Sequence, residues 1–298
     1  MRRVLVTGGG GFTGRHLLPA LRARGWHTIS LGHTAPAEAD SHLELDITDR
    51  EGLERAIAAA RPEAVVHLAA LAHVTTGDAL DYYRVNVLGT ENLLSALAHL
   101  DTPPSRVIVA SSANVYGANA RAVIDESVTP APVNHYACAK LAMEHMARTW
   151  ATRLPLIVTR PFNYTGPGQS ESFLLPKIVG HFRRREASIS LGNLDVSRDF
   201  SAIGDVVDAY LALLEAPLDE ADSGETLNIC SGSATALTRI LELMSDIAGY
   251  TIDASVDPAL VRRSEIPSLC GDDSRLQKRI GKRRLTPLKA LLGDMYRA

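Results

Sequence analysis

Cysteine is scarce in this 298-residue chain. Cys138, Cys230 and Cys270 stand far apart, with neither the spacing of a thiolate metal site nor the even count of a disulfide framework. An odd number of isolated thiols suits a reducing compartment, where each serves as a small apolar side chain. Long apolar runs are also missing: none reaches the ~18 residues that span a bilayer, and no charged-then-apolar leader precedes the first strand. The expectation is a cytoplasmic protein without a membrane contact and without a metal. The formal net charge is only −3. The short runs Arg183-Arg184-Arg185 and Lys282-Arg283-Arg284 read as solvated faces, so no nucleic-acid partner is expected. Internal repeats and low-complexity tracts are absent from the sequence.

Glycine, in contrast, is concentrated where it matters. An apolar run, Val4-Leu5-Val6, leads through Thr7 into Gly8-Gly9-Gly10-Gly11-Phe12-Thr13-Gly14 and then into the helical pattern that starts at Arg15. A buried strand that turns tightly into a helix presents free helix N–H groups to a pyrophosphate. Gly8 suits the turn, Gly11 the close approach of backbone to phosphate, and Gly14 the packing of helix on sheet. Further strand-like runs at Thr28 to Leu31, Leu43 to Asp46, Ala64 to Leu68 and Arg106 to Ala110 support a dinucleotide-binding domain.

Strands alternate with helix-length patterns up to about Arg160, the mark of a doubly wound parallel sheet in an α/β (Rossmann) fold. Beyond that the pattern loosens. A helix-like stretch runs from Phe173 to Arg185, a short strand lies near Ser188 to Ser190, and Ile203 to Leu214 reads as a helix. Thr226 to Ile229 reads as a strand returning to the main sheet, and helices follow at Leu237 to Ile247 and Pro287 to Met295. The expected division is a dinucleotide-binding domain over 1–162, to which 200–230 returns. A smaller, discontinuous C-terminal substrate-binding lobe then comprises 163–199 and 231–298.

Tyr136 and Lys140 stand four apart, on one face of an expected helix. The ammonium can therefore lie near the phenol and favour its ionised form. Such a phenol exchanges protons with a hydroxyl or ketone. The pair follows a buried strand, Val107 to Ala110, that ends in Ser111-Ser112 at the sheet edge where ligands of this fold bind.

The chain resembles the extended short-chain dehydrogenases/reductases that act on nucleotide sugars. The resemblance rests on the glycine run, Asp46-Ile47, His67-Leu68-Ala69-Ala70, Asn86-Val87-Leu88-Gly89-Thr90, Ser111 to Gly117, Tyr136-x-x-x-Lys140 and Arg160-Pro161-Phe162-Asn163. It implies that Ser112 hydrogen-bonds the reacting oxygen, Tyr136 is the acid/base, and Lys140 holds the nicotinamide ribose. It further implies a cofactor site built from Gly8, Gly11, Phe12, Thr13, Gly14, His33, Asp46, Ile47, Leu68, Ala69, Ala70 and Phe162, together with Tyr136 and Lys140. Asn163 would contact the substrate diphosphate. In the second half, Phe162 to Gln169, Gly192 to Phe200 and Arg262 to Pro267 are similar to the GDP-6-deoxy-4-ketomannose reductases and GDP-mannose 4,6-dehydratases. That similarity makes Arg198 and Arg262 phosphate ligands and Glu265 an acceptor for ribose hydroxyls, which suits guanidinium and carboxylate chemistry. His73 either faces the sugar or serves as a packing residue at a helix start. The resemblance also implies a homodimer, through the helical segments Ala79 to Leu100 and Asn134 to Trp150.

Departures from the pattern choose among reactions. The dehydratases carry acidic residues just after the catalytic hydroxyl, where this chain has Ala113 and Asn114, neither a general acid nor a base at neutral pH. NAD-selective relatives carry a carboxylate at the end of the second strand, where this chain has Gly32. Its absence removes repulsion of a 2′-phosphate, so NADP is expected, with NAD possible. No Lys or Arg lies between Gly32 and His42, which leaves Arg15 or His33 to meet that phosphate. The resulting reading is an NAD(P)-dependent oxidoreductase that reduces the 4-keto group of a nucleotide-bound 6-deoxyhexose in deoxysugar biosynthesis. A nucleotide-sugar 4-epimerase with tightly bound NAD is the runner-up. A catalytically silent NADP-binding regulator is the third reading, opposed by the presence of Ser112, Tyr136 and Lys140.

Overall fold

The computed structural model describes residues 2–72, 78–119, 121–217, 223–261 and 267–298. In chain order the first part runs β1 (Arg3–Thr7), α1 (Phe12–Ala23), β2 (His27–Gly32), β3 (Ser41–Glu44), α2 (Arg50–Ala60) and β4 (Ala64–His67). It continues with α3 (Ala79–Tyr83), a π turn (Arg84–Gly89), α4 (Thr90–Ala98), β5 (Arg106–Ala110), α5 (His135–Arg148) and β6 (Leu156–Pro161). Then come β7 (Asn163–Thr165), α6 (Leu174–Arg183), β8 (Ser188–Leu191), β9 (Ser197–Ala202), α7 (Ile203–Glu215) and β10 (Glu225–Ile229). The chain closes with β11 (Ala234–Ala236), α8 (Leu237–Ala248), β12 (Asp253–Val256), β13 (Ser268–Leu269), α9 (Ser274–Ile280) and α10 (Leu288–Arg297).

Seven strands form one sheet in the order β10-β6-β5-β4-β1-β2-β3, and every pairing from β6 to β3 is parallel. The chain moves outward from β1 through β2 to β3, then returns to place β4 on the other side of β1. The order therefore reverses at the carboxyl ends of β1 and β4, the place where such sheets bind ligands. Strand β1 is buried between β2 and β4, which is why Val4-Leu5-Val6 is uniformly apolar rather than alternating.

The chain divides into two compact units. The first comprises 1–115, 132–160 and 207–227, and the second 116–131, 161–206 and 228–298. The first unit's core gathers Leu5, Ile29, Val65, Val107 and Leu156 from the sheet with Leu53, Ile57, Leu93, Leu97 and Met143 from its helices. The second has a core of its own, in which Leu175, Ile178 and Phe182 of α6 meet Ile240 and Met244 of α8 and Leu292 of α10. Its strands form a group around β9, flanked by β11, β13 and β7, and a separate parallel pair, β8 with β12.

The expected single helix from Ala79 to Leu100 is instead three pieces, α3, the π turn and α4. Two observations account for the break. The Asn86 amide inside the turn accepts from the Leu71 N–H at 2.8 Å and donates to the Leu71 carbonyl at 3.2 Å, which draws the helix toward a neighbouring loop. Where the turn crosses Ile47, a Cβ on Gly89 would stand 2.6 Å from Cγ2 of that side chain.

Candidate active site

Residues Gly8 to Gly14 form a turn that requires glycine at particular positions, Gly8 and Gly14 among them. Gly8 has φ +70, its N–H donates to the Leu31 carbonyl at 2.8 Å, and a Cβ there would stand 2.8 Å from the Ala69 nitrogen. A Cβ on Gly14 would collide with the backbone of Gly9, so α1 lies flush on the turn. Gly11 is the N-cap of α1 in extended conformation, with no side-chain cap and no acidic residue in the first turn. A helix N-terminus without a carboxylate beside it fits the pyrophosphate of a dinucleotide. Thr13 is buried in that first turn, and the Phe12 ring stands edge-on to His16 at 5.1 Å.

At the end of β2, His33 Nε2 lies 3.8 Å from the Asp46 carboxylate, both side chains being largely exposed. Asp46 accepts from the Thr48 N–H at 2.8 Å and its hydroxyl at 2.7 Å. Chiefly the Thr48 backbone bond, against partial burial and with help from the hydroxyl and His33, holds the Asp46 carboxyl below its ordinary range. Ile47 is buried beneath Gly89.

The residues after β4 are pinned from below by His67, which is 1% exposed. The Thr90 hydroxyl donates to the Asn86 carbonyl at 2.7 Å, so it accepts from His67 Nε2–H at 2.8 Å. Nδ1 is then the acceptor for the Thr7 hydroxyl at 2.6 Å, and Thr7 in turn accepts the Ala69 N–H at 3.2 Å. Each partner uses its proton once, which fixes a neutral imidazole. Burial, followed by the nearby charge of Lys140, lowers the His67 pKa to about 3. The unfolded chain gains a proton at this group below about pH 6.5 while the fold refuses it, so its contribution to stability declines as pH falls through that window. From pH 7 to pH 5 the expected decline is about 2 kcal/mol. Urea unfolding of wild type and His67→Gln at both pH values checks it: the difference between the proteins should shrink at pH 5, and an unchanged difference refutes it.

Asn134 caps α5 by accepting the Ala137 N–H at 2.9 Å. The four-residue period then places Tyr136, Lys140, Glu144 and Arg148 along one stripe of the helix. The Tyr136 ring meets Tyr82 edge-on at 6.3 Å. Lys140 is 3% exposed and donates from Nζ to the Ala110 carbonyl at 2.7 Å. Burial lowers its pKa to about 8, against an upward pull from Glu144. Ser112, just past β5, is buried, and its Oγ accepts the Asn114 N–H at 3.2 Å. The Ala113 side chain beside it is buried and Asn114 is exposed.

The second unit holds Phe162, Asn163 and Arg198. Phe162 is buried, with its ring 6.2 Å from that of Tyr116. Asn163 Nδ2 donates to the Asp199 carbonyl at 3.3 Å, which places Asn163 on β7 beside Arg198 on β9. Arg198 donates to the carbonyls of Ser197 at 2.9 Å and Pro267 at 3.4 Å. Between them Asp199 is fully buried and accepts from Ser231 N–H and Oγ, Gly232 N–H and Gly271 N–H. His73, Arg262 and Glu265 lie outside the described residues. Among the described residues no cluster of His, Cys, Asp or Glu is arranged to hold a metal, and no helix is long and apolar enough to cross a membrane.

Sequence reasoning assigned no role to His67, Glu144, Arg160 or Asp199. Glu144 was detectable, since it continues the four-residue period begun by Tyr136 and Lys140. The pairing of Asp199 with two distant turns carries no local signal.

The model of the NAD dependent epimerase/dehydratase family matches residues 4–230. The chain belongs to this family. It is 34% identical to GDP-6-deoxy-D-talose 4-dehydrogenase of Aggregatibacter actinomycetemcomitans, over 99% of this chain and 97% of that protein. It is also 34% identical to GDP-6-deoxy-D-mannose reductase of Pseudomonas aeruginosa, over 98% and 97%. The solved structure of RMD from P. aeruginosa complexed with NADPH superimposes with a TM-score of 0.86 at 32% identity, covering all of this chain and 98% of that one. UDP-glucose 4-epimerases and dTDP-glucose 4,6-dehydratases are further family relatives, for example at 27% and 33% identity.

Proposed function

We propose that this protein is an NADP-dependent reductase of the 4-keto group of a nucleotide-linked 6-deoxyhexose, with a guanosine diphosphate sugar as substrate. The observation that carries the reading is Ser112 followed by Ala113 and Asn114, on the same unit as Tyr136 and Lys140, with no carboxylate at the two positions where dehydration needs one. The full-length likeness to two GDP-6-deoxyhexose oxidoreductases supports it. NADPH in the P. aeruginosa structure supports the cofactor, and Gly32 leaves room beside His33 for a 2′-phosphate.

When bound, the reduced nicotinamide supplies the hydride that reaches carbon 4. The glycine turn and the α1 N-terminus take the pyrophosphate, and Asp46 with Ile47 holds the adenine side. Lys140 binds ribose hydroxyls and, as a cation, favours the phenolate of Tyr136. Tyr136 gives its proton to the oxygen at carbon 4, and the Ser112 hydroxyl donates to that oxygen as charge builds on it. Asn163 and Arg198 take the diphosphate, and Arg262 and Glu265 are assigned to phosphate and ribose on the same reading. The three free cysteines fit a reducing cytoplasm.

Supplied with the GDP-4-keto-6-deoxy sugar, the protein should oxidise NADPH stoichiometrically. Supplied with GDP-mannose, it should release no keto sugar. Elimination of water from the intact hexose, or epimerisation without net NADPH consumption, refutes the reductase. In titration calorimetry NADPH should bind at least as tightly as NADH, and a strong NADH preference refutes the NADP assignment. Leu80 and Leu88 are 60% and 58% exposed near α5, and we assign this face to a homodimer. Sedimentation at micromolar concentration should show a dimer, and a monomer excludes it.

A further inference from the structure

We infer that Glu144 is a positioning residue: a buried carboxylate that braces the strand end carrying Ser112 and the helix face carrying Lys140. The inference rests on the proposed roles of Ser112 and Lys140, and goes beyond them to a group that touches neither substrate nor cofactor.

Glu144 is fully buried, and four donors converge on it. The Ser111 hydroxyl donates to Oε1 at 2.6 Å. Arg160 on β6 donates to both oxygens, from Nε to Oε1 at 2.8 Å and from a terminal nitrogen to Oε2 at 2.6 Å. Arg148, one turn further along α5, donates to Oε2 at 3.2 Å and to the Thr226 hydroxyl at 2.8 Å. Arg160 is itself 3% exposed, so the pair forms a two-pronged ion pair away from water, where such geometry is strong and intolerant of losing either member.

Three consecutive residues at the end of β5 are thereby given separate tasks. The Ala110 carbonyl accepts from Lys140, the Ser111 hydroxyl is held by Glu144, and Ser112 points its hydroxyl elsewhere, as successive side chains of an extended segment do. Because Ser111 is tied to α5 one turn beyond Lys140, the spacing between the Ser112 hydroxyl and the Lys140 ammonium is set by α5 and by Glu144. The charge of Glu144 acts as well. It lies one turn from Lys140 and favours the ammonium, while Arg160 and Arg148, both paired with it, offset part of that field. Of the other titratable groups beside Lys140, Tyr136 stands one turn earlier on α5 and is common to wild type and Glu144→Gln, and His67 stays neutral above pH 5 and contributes no charge.

The test reads NADPH affinity against pH by fluorescence titration, which follows the charge of Lys140 whatever reaction the enzyme performs. Wild-type affinity should weaken as pH rises through about 8, where Lys140 loses its proton. In Glu144→Gln the carboxylate is gone and two guanidinium groups remain, so the ammonium is disfavoured. The weakening should begin about one pH unit lower. Ser111→Ala, which leaves every charge in place and three donors on Glu144, should keep the wild-type pH profile of affinity while kcat falls about tenfold, because the placement of Ser112 is disturbed. Superimposable affinity profiles for wild type and Glu144→Gln overturn the inference, as does wild-type kcat in Ser111→Ala. Lys140→Met separates this from the parent reading: if its NADPH affinity equals wild type at pH 7, the role of Lys140 itself is wrong. If it binds weakly while Glu144→Gln follows the wild-type curve, only the brace is wrong.

Discussion

Tyr136→Phe should retain NADPH binding and lose at least about a hundredfold in turnover. The substitution removes one oxygen and leaves the ring that stands edge-on to Tyr82, so α5, its Asn134 cap and the Lys140 contact with Ala110 stay in place. What disappears is the proton donor for the oxygen at carbon 4, and Ser112 alone does not replace it because its hydroxyl has an alcohol's acidity. Single-turnover NADPH oxidation separates this loss from binding: the slow step should be hydride transfer, with the cofactor Kd within about threefold of wild type. Turnover within tenfold of wild type removes Tyr136 from the proposed chemistry.

Gly14→Ala is the second substitution with a large expected effect. Its Cβ would enter the backbone of Gly9, which has no flexible end to move, so either α1 lifts or the turn reshapes. Overpacking of this kind costs about 1–3 kcal/mol of stability. The cofactor should suffer more, since the same turn must present its N–H groups to the pyrophosphate, and at least tenfold weaker NADPH binding is expected. Gly204→Ala is the control. Gly204 sits in α7 with nothing within 4 Å of an added methyl, and alanine there should stabilise by about 0.5–1 kcal/mol. Equal melting temperatures and NADPH affinities for Gly14→Ala and wild type contradict the steric argument.

The parallel sheet was legible because its signals are local. Thr28 to Leu31 falls within β2, Ala64 to Leu68 overlaps β4, Arg106 to Ala110 is β5, and Thr226 to Ile229 lies in β10, back in the main sheet as expected. Each is an apolar run bounded by turn residues, and burial on both faces leaves few other readings. The expected strand at Leu43 to Asp46 is offset from β3, which covers Ser41–Glu44, because an edge strand lacks a second neighbour to fix its register. In the second unit, β11 and β13 are three and two residues long and pair only with distant β9, so no periodicity announced them. Around the candidate site, Tyr136 and Lys140 were readable as a spacing. The His67 chain was not: Thr7, His67 and Thr90 are sixty and twenty-three residues apart, and only the switch of strand order between β1 and β4 brings them together.

The π turn between α3 and α4 carries a consequence for how this helix tolerates changes in length. The wider turn takes up one residue more than an ordinary helical turn, so α3 and α4 keep the phase of one helix. Asn86 reaches Leu71 and Thr90 reaches His67 from one face, since residues four apart stand only about 40° apart around a helix. Deleting one residue of the turn that makes neither contact, such as Leu88, should close it to a regular helix and leave both contacts in place. The turn thereby acts as a buffer of length: a one-residue deletion within it should be tolerated better than one within α4, where no slack exists and every later side chain would turn by about 100°.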